Sequence, residues 1–271
     1  MSNKESYSKV ILFVLVVSFI SSVVVSSIAV YLKPMQVRNV KLDLKKNILK
    51  AAGFSVDSGY SKDVDSMSVN EIESLYSKYI KPVVVDIKNG DINESLDYKS
   101  YDQDKASRTK GNFFIAPPNG ARVMRVPNNM IVYFRLDNQG GIAGYIFSMS
   151  GAGLWSNMKA FVSLGVDFNT INSLVYYEQK ETAGLGAEVE NPKWLKLWKN
   201  KKIFNSDRQV SITVTKDPSS AQTPYGVDAL SGATLTGNGV TESFKFWFGP
   251  SGYGKFINKF SSSRSSNIGE L

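Results

Sequence analysis

The first part of the chain is dominated by one long apolar run without a charged residue, Val10–Leu32. The run has 23 residues, and a helix that spans the hydrocarbon core of a membrane needs about 20. The apolar core of a cleaved signal peptide is shorter, about 7–15 residues. The pattern therefore predicts a retained transmembrane helix over residues 10–32, preceded by a short tail at residues 1–9.

Helical spacing of apolar residues continues after Pro34, now with basic residues in between. The apolar positions are Val37, Val40, Leu44, Ile48 and Ala51. This pattern predicts a basic amphipathic helix that lies on the membrane or packs on the domain. A second helix is predicted at Asn70–Tyr79, stopped by Pro82, and a strand at Val83–Ile87 follows. Residues 93–112 carry little apolar pattern, which indicates a surface excursion.

Strand-like and helix-like patterns alternate through the rest of the chain. Strands are predicted at Met130–Leu136, Ile142–Met149, Leu174–Tyr177 and Val210–Val214. Helices are predicted at Leu154–Val162, from Asn191-Pro192 onward, at 236–248 and at Tyr253–Phe260. The segment 137–141, Asp-Asn-Gln-Gly-Gly, predicts a hairpin between the first two strands, and 217–227 is predicted as a loop.

Strands joined by both hairpins and helices favour an α+β fold over a doubly wound sheet. The predicted architecture is one N-terminal transmembrane helix followed by a mixed, mainly antiparallel sheet domain with packed helices. Residues 33–120 would form a juxtamembrane helix and an accessory α/β segment, residues 121–260 the main domain and residues 261–271 a flexible tail. The spacing of the last aromatic residues indicates core positions at Phe244, Phe246, Trp247 and Phe248.

Composition then removes several classes of chemistry. The 271 residues contain no cysteine and no histidine. Thiolate and imidazole metal sites, iron–sulfur ligation, disulfides and nucleophiles activated by histidine are therefore excluded. Any electron chemistry must use a bound cofactor. No catalytic residue and no metal ligand is predicted.

The net charge of +8 is concentrated beside the apolar run. Residues 33–50 contain six Lys or Arg residues and one Asp, a surplus of +5. A basic segment at this place fits membrane lipid as a partner, and nucleic acid is not expected. The positive-inside rule alone would place the large domain in the cytoplasm, whereas a short N-terminal tail is easily left inside. The charge pattern therefore leaves the orientation open.

The clearest candidate for a ligand site is the segment 228–236, Asp-Ala-Leu-Ser-Gly-Ala-Thr-Leu-Thr. Small residues lead there from a turn into a helix, whose first turn presents unpaired N–H groups and a partial positive charge. A phosphate could approach this backbone closely, and the hydroxyl of Thr234 would lie at the same place. By itself, such a segment is more often an ordinary helix start that Ser231 or Thr236 caps, with no ligand.

Two further glycine-rich segments change that balance: Ser150–Ser156 (SGAGLWS) and Glu181–Gly186 (ETAGLG). Lys216 ends the strand that leads toward the Thr234 loop. With these motifs the sequence closely resembles the C subunit of the Na⁺-translocating NADH:quinone oxidoreductase (Nqr), whose FMN-binding domain is shared with the G subunit of the RNF complex. The resemblance covers roughly residues 130–248. Ala183 is a departure, because relatives usually have Pro there.

The resemblance implies one covalently bound FMN per chain. In the family, the last Thr of the Ser-Gly-Ala-Thr motif carries FMN through a phosphoester bond, and this residue corresponds to Thr234. The chain has no histidine to activate that hydroxyl, so attachment would require a flavin transferase that uses FAD and Mg²⁺. The residues expected around the attachment point are Ser231, Gly232, Ala233, Leu235 and Thr236.

Candidates to line the isoalloxazine ring are Leu154, Trp155, Thr182, Gly184 and Leu185. Asp228 could orient the loop or be recognised by the transferase, and Lys216 could place positive charge near an anionic flavin. Each of the last two is by position more typical of a solvated surface residue. For Trp155 the alternative is a position in the core of a helix.

The leading interpretation is a membrane-anchored FMN carrier that relays single electrons within a Na⁺-pumping NADH:ubiquinone oxidoreductase, with no independent catalytic activity. The resemblance implies other Nqr subunits as partners, chiefly B, D and E, with electrons arriving from an iron–sulfur centre between D and E and leaving to a second FMN on B. It also implies a single pass through the bacterial inner (cytoplasmic) membrane with the FMN domain on the extracytoplasmic side, which we prefer to the orientation favoured by charge.

Two alternatives stay open. The first is a flavoprotein like the G subunit of the RNF complex, against which the long segment 35–120 and the Gly-Leu-Trp-Ser element argue. The second is an unflavinylated, membrane-tethered binding or assembly module, in which the Thr234 loop is only the start of a helix.

Overall fold

The computed structural model of the chain describes residues 7–54 and 62–266. Most of the predicted N-terminal tail and the last five residues of the predicted C-terminal tail lie outside the described residues. The chain divides into two compact units, residues 1–44 and residues 45–271.

The first unit consists of the greater part of helix α1 (Tyr7–Ala51). The apolar side chains of the predicted span are exposed, and this helix is long and apolar enough to cross a membrane. Pro34 lies inside α1 and does not end it. A proline removes one N–H donor from a helix, but α1 remains continuous despite this loss. The predicted juxtamembrane helix is thus the same helix as the predicted span.

The second unit is built on a five-stranded sheet with the strand order β1-β4-β5-β6-β7. Its strands are β1 (Ile80–Asp86), β4 (Asn129–Leu136), β5 (Ile142–Ala152), β6 (Asn157–Leu164) and β7 (Ile171–Glu178). Each neighbouring pair is antiparallel. The prediction of a mainly antiparallel α+β domain is confirmed, as is the hairpin that joins β4 to β5. Strand β1 comes from the segment predicted to be accessory and is an edge of this same sheet.

The predicted helix at Leu154–Val162 is wrong, because this segment is a turn followed by strand β6. Met158, Ala160 and Val162 pack in the main core, and Phe161 is buried as well. A strand that is buried on both faces has a continuous apolar run, which periodicity alone does not distinguish from a buried helix. Pairing with β5 and β7 decides the outcome here.

Helices α6 (Thr234–Phe248) and α7 (Gly254–Ser266) contribute to the main hydrophobic core beside the sheet. The ring of Phe244 stacks on Trp198 with 4.9 Å between the centroids, and Phe248 meets Phe147 of β5 edge to face at 5.6 Å. All four predicted aromatic core residues of α6 are buried. Helix α7 continues to Ser266, so the predicted flexible tail does not begin at residue 261.

The end of α1 and helix α2 (Val69–Tyr79) supply further buried side chains. The hydroxyl of Ser173 on β7 donates a hydrogen bond to the carbonyl oxygen of Ala51 at 2.6 Å. The predicted second helix is confirmed, but it passes directly into β1 at Ile80, and Pro82 lies inside that strand. Strand β1 is an edge strand, where a proline without an N–H group is tolerated.

Short elements complete the second unit. They are α3 (Gln103–Ala106), β2 (Phe113–Ile115), β3 (Arg125–Pro127), α4 (Pro192–Lys196), β8 (Thr213–Thr215), α5 (Pro218–Ala221), β9 (Gly226–Asp228) and 3₁₀ turns at Val64–Ser66 and Gly186–Glu190. Asn191 caps α4 as predicted, by accepting a hydrogen bond from the N–H of Lys193. The predicted loop at 217–227 contains α5 and the start of β9. Of the predicted strand at Val210–Val214, only residues 213 and 214 belong to a strand, β8. Strand β8 pairs in parallel with β9.

Candidate functional site

The predicted ligand segment lies where β9 ends and α6 begins. Ala233 is the N-cap residue of α6, and no side chain caps this helix start. The interpretation that Ser231 or Thr236 caps the helix is therefore wrong. Thr234 is the first residue of α6 and is exposed. The structure thus combines an uncapped helix N-terminus with an accessible hydroxyl.

Gly232 brings this segment against the predicted loop at 181–186. Its φ angle is +70°, a left-handed conformation that favours glycine. A Cβ atom at this position would lie 2.8 Å from Cδ2 of Leu185. The backbone at Gly232 and the side chain of Leu185 are therefore in close contact. Gly184 also has a positive φ, +74°, which shapes the same loop.

The carboxylate of Glu181 joins all three predicted segments. Its Oε2 accepts hydrogen bonds from the N–H of Leu154 at 2.9 Å and from Oγ1 of Thr236 at 2.8 Å. Its Oε1 accepts from the N–H of Trp155 at 3.0 Å, and from the N–H and Oγ of Ser156 at 2.9 and 2.8 Å. One carboxylate thus holds the β5–β6 turn to the first turn of α6.

Glu181 is buried, with an exposed fraction of 8%. Burial by itself would raise the pKa of this carboxyl, because it disfavours the charged form. The hydrogen bonds from Ser156, from Thr236 and from the N–H groups of the turn outweigh burial and hold the pKa of Glu181 below its usual range. The group is therefore ionised at neutral pH and accepts all five hydrogen bonds.

Glycines allow α6 to pack tightly on the same turn. A Cβ atom at Gly239 would lie 2.1 Å from the carbonyl oxygen of Ala152. A Cβ atom at Gly153 would lie 2.6 Å from Oε1 of Glu181. Both distances are shorter than van der Waals contact permits. At Gly239 the obstacle is backbone, so this position requires glycine, whereas a side chain at position 153 would displace the Glu181 carboxylate. The first turns of α6 are thus held directly against the end of β5.

Exposed apolar side chains occur on all three segments. Trp155 is 72% exposed, Leu235 59%, Leu154 44% and Leu185 43%. Trp155 lies in the β5–β6 turn, so its alternative placement in a helix core is wrong. We call these four residues the apolar rim. Thr182 and Gly184 are exposed on the same loop as Leu185.

Asp228 and Lys216 lie at the ends of β9 and β8. Asp228 pairs with Thr215, the residue before Lys216, and its carbonyl oxygen accepts a hydrogen bond from Nε1 of Trp194 at 2.8 Å. Both side chains are exposed. Among the described contacts, neither side chain reaches the Glu181 cluster. The structure therefore brings most of the predicted residues together and leaves these two at its border.

Sequence reasoning missed the role of Glu181, which it treated only as the first residue of a flexible loop. A signal for it exists in the turn that follows β5. Three successive N–H groups at residues 154–156 need an acceptor when a glycine-rich turn is packed against a helix. The nearest acidic residue in a second glycine-rich motif is a candidate to supply it.

The arrangement fits a ligand with an anionic end and a flat apolar part. The uncapped N-terminus of α6 suits a phosphate, because backbone N–H groups and the helix dipole favour negative charge there. The apolar rim suits an aromatic ring, because exposed apolar surface gains free energy when it is covered. FMN has both parts, so the residues present fit it.

Comparison with known proteins agrees with this geometry. The sequence model of the FMN-binding domain matches residues 153–249. The chain is 39% identical over 269 residues to the C subunit of the Na(+)-translocating NADH-quinone reductase of Haemophilus ducreyi, with 98% of each chain covered. It is 38% identical over 264 residues to the protein of that name from Vibrio parahaemolyticus, with 95% of this chain and 97% of the relative covered.

Solved structures give the same result. The crystal structure of NqrC from Shewanella oneidensis matches with a TM-score of 0.73 and 29% identity over 81% of this chain and 96% of the other. The corresponding protein from Parabacteroides distasonis matches with a TM-score of 0.63 and 29% identity, over 83% and 96%. These names favour the Nqr branch over the G subunit of the RNF complex. The chain belongs to the NqrC family, the C subunits of the Na⁺-translocating NADH-quinone reductase.

Proposed function

We propose that this chain is a flavin-carrying, electron-transfer subunit of the Na⁺-translocating NADH-quinone reductase, with FMN attached to Thr234. The observation that carries the proposal is the uncapped start of α6, where an exposed threonine lies beside the apolar rim. The match to the FMN-binding domain and the names of the relatives support it. When bound, FMN would supply the redox chemistry, because a flavin can exchange electrons one at a time.

The phosphate of FMN would be held by the backbone at Ser231, Gly232 and Ala233 and by the first turn of α6. The small side chains at these positions leave the N–H groups accessible. The hydroxyl of Thr234 would attack the FMN phosphorus of FAD, so that the phosphoester bond forms as the pyrophosphate bond of FAD breaks and AMP leaves. Because the chain has no histidine, a separate flavin transferase would supply the base, together with FAD and Mg²⁺.

The isoalloxazine ring would lie on the apolar rim, which consists of Leu154, Trp155, Leu185 and Leu235. Thr182 and Gly184 would contact the ring from the loop beside Leu185. Thr236 would contribute indirectly, through the hydrogen bond that its hydroxyl donates to Glu181. Lys216 would add positive charge at the border of the site, and Asp228 would be available to the transferase. Covering the rim would remove exposed apolar surface from water.

The proposed partners are the other Nqr subunits, chiefly B, D and E. A flavin on an exposed rim can approach redox groups of neighbouring subunits, which supports a relay between an iron–sulfur centre at D and E and the flavin of B. Residues 10–32 of α1 would form the single span of the bacterial inner membrane and contact its lipids. The remainder would comprise the accessory segment 33–120 and an extracytoplasmic FMN domain at residues 121–260.

In-gel flavin fluorescence after denaturing electrophoresis tests the attachment. Wild type, Thr234→Val and Thr234→Ser are each produced with an active flavin transferase. We expect a fluorescent wild-type band and a dark Thr234→Val band, because valine has no oxygen to form the ester. Thr234→Ser is the matched control, which retains the hydroxyl. A dark wild-type band, with the transferase active on another substrate protein, would favour the unflavinylated binding module.

A further inference from the structure

Glu181 is a buried carboxylate that accepts five hydrogen bonds and has no Lys or Arg partner among the described salt bridges. Burying a carboxylate without a cation costs free energy unless hydrogen bonds replace the lost water. Here every donor comes from either the β5–β6 turn or α6. A group of this kind fixes the geometry of the elements that it joins.

The hydrogen bonds determine which side chains the turn presents. The N–H groups of Leu154, Trp155 and Ser156 all point at Glu181, while the first two side chains are exposed. On the other side, Thr236 donates to the same carboxylate from a position two residues after Thr234. The Glu181 carboxylate is thus the direct link between the turn that carries Trp155 and the helix start that carries the attachment residue.

We propose that Glu181 is a positioning residue of the flavin site, which holds Trp155 and Leu154 in place to contact the FMN carried by Thr234. This inference rests on the proposed function. Glu181 touches neither the attachment hydroxyl nor the rim side chains in the described contacts, so it acts through the backbone of the turn. Its role is to hold the side chains of Leu154 and Trp155 in a fixed position against one face of the flavin.

Only an ionised carboxylate fits these donors. Each oxygen of Glu181 faces at least one N–H group of the turn. A glutamine has one carbonyl oxygen and one NH₂ group, so in either orientation a donor N–H would face another donor. An aspartate is one methylene shorter and would not reach both elements. Glu181→Gln therefore conserves the shape of the side chain but disrupts the hydrogen bonds that join the β5–β6 turn to α6.

The experiment uses the full-length chain in detergent, with covalent flavin confirmed on a gel for each variant. The variants are Glu181→Gln, Thr236→Val, Trp155→Leu and the double variant of Glu181→Gln with Trp155→Leu. Glu178→Gln is the matched control, because Glu178 lies three residues earlier, is exposed and pairs only with Lys159 in the described salt bridges. Flavin fluorescence of the folded protein is compared with that of the same sample after denaturation. Amide exchange at residues 154–156 is measured on unflavinylated protein.

We expect the folded wild type and Glu178→Gln to quench flavin emission, because an indole that contacts the ring quenches it. Glu181→Gln and Trp155→Leu each lose that quenching, and the double variant loses no more than either single variant, as expected for residues that act as one unit. In Glu181→Gln, exchange at residues 154–156 accelerates at least about tenfold, which corresponds to about 1.4 kcal/mol of local opening free energy.

Thr236→Val keeps the test decisive if Glu181→Gln does not fold. It removes only the link between Glu181 and α6, so we expect partial loss of quenching, and Thr236→Ser restores it. The inference would be overturned if a folded Glu181→Gln or Thr236→Val protein showed normal quenching in its flavinylated form and normal exchange in its unflavinylated form. A wild type without covalent flavin would instead overturn the proposed function, and that result is seen before any variant is compared.

Discussion

Helices α2 and α6 begin in opposite ways. Ser68 caps α2 with a full capping box, in which its hydroxyl accepts from the N–H of Glu71 and the carboxylate of Glu71 accepts from the N–H of Ser68. Helix α6 begins at Thr234, and its N-cap residue, Ala233, provides no side-chain cap. The chain's own side chains therefore cap the start of α2, whereas no side chain caps the start of α6.

The two helices also differ in how much of each is buried, and here α6 has the stronger interactions. Helix α2 buries only Ile72 and Tyr79, whereas α6 buries ten of its 15 residues. Phe244 and Phe248 of α6 stack on each other, and Phe244 also stacks on Trp198. A helix that is held by its body does not need a cap. The comparison therefore indicates that core packing is what allows α6 to begin without a side-chain cap.

Phe244→Ala should have the largest effect on this arrangement. Phe244 is fully buried, and deletion of a buried phenylalanine ring costs about 3–5 kcal/mol in unfolding free energy. Urea unfolding of the full chain in detergent, followed by tryptophan fluorescence, measures the loss. Phe244→Leu is the control and should lose much less, because it fills most of the volume. A loss below about 1 kcal/mol for the alanine variant would contradict the view that the body anchors α6.

Ser68→Ala tests the other helix. Removal of an N-cap serine costs about 1 kcal/mol, so we expect a clear but smaller loss of unfolding free energy, with no change in flavin content. Ser77→Ala is the matched control, since Ser77 lies in the body of α2 and its hydroxyl bonds only the carbonyl oxygen of Ser74 in the described contacts. The same urea experiment compares the two. Equal stability of both variants would mean that the capping box contributes nothing.

Acid should weaken both helix starts through their carboxylates. The hydrogen bond from the N–H of Ser68, aided by the Ser68 hydroxyl and Lys62, lowers the pKa of Glu71 to about 2. The pKa of Glu181 is lowered as well. A lowered pKa means stability that is present above the ordinary value of 4.5 and is lost as pH falls toward the folded value.

Thermal unfolding between pH 6 and pH 3 measures this loss, and we expect the melting temperature to fall mainly below about pH 4.5. Glu71→Gln retains a capping-box partner but cannot titrate. Its melting temperature should therefore depend less steeply on pH than that of the wild type. An unchanged slope in Glu71→Gln would show that other carboxylates carry the acid sensitivity.

The elements that local chemistry specifies are the ones that the sequence predicts well. The hairpin between β4 and β5 follows from the turn residues at 137–141, and the start of α4 follows from the Asn191-Pro192 pair. The pattern of strand β6 wrongly predicts a helix because the strand has buried apolar residues on both faces, so its sequence lacks the alternation of apolar and polar residues that is typical of a strand. Apolar residues at helical spacing continue after Pro34, and the helix there is continuous as well.

The candidate site shows the same division. Small residues identify the three segments in the sequence, and the exposed Thr234 stands out among them. The contact that joins them, from Thr236 to Glu181, spans 55 residues of chain. Its existence depends on how α6 packs beside the end of β5, which local patterns do not contain. The link that Glu181 makes between the β5–β6 turn and α6 could therefore be recognised only from the structure.

The smallest expected effect on stability is at Thr234 and gives the sharpest form of the comparison. Thr234 is exposed at the first position of α6 and is not its cap, so Thr234→Ala in unflavinylated protein should change the unfolding free energy by less than about 0.5 kcal/mol. Urea unfolding beside Ser68→Ala measures this difference. A loss of about 1 kcal/mol would mean that Thr234 caps the helix after all. If Thr234→Ala leaves the stability unchanged, and the same variant stays without flavin when it is produced with an active transferase, then the threonine at the start of α6 serves attachment, whereas the serine at the start of α2 serves the fold.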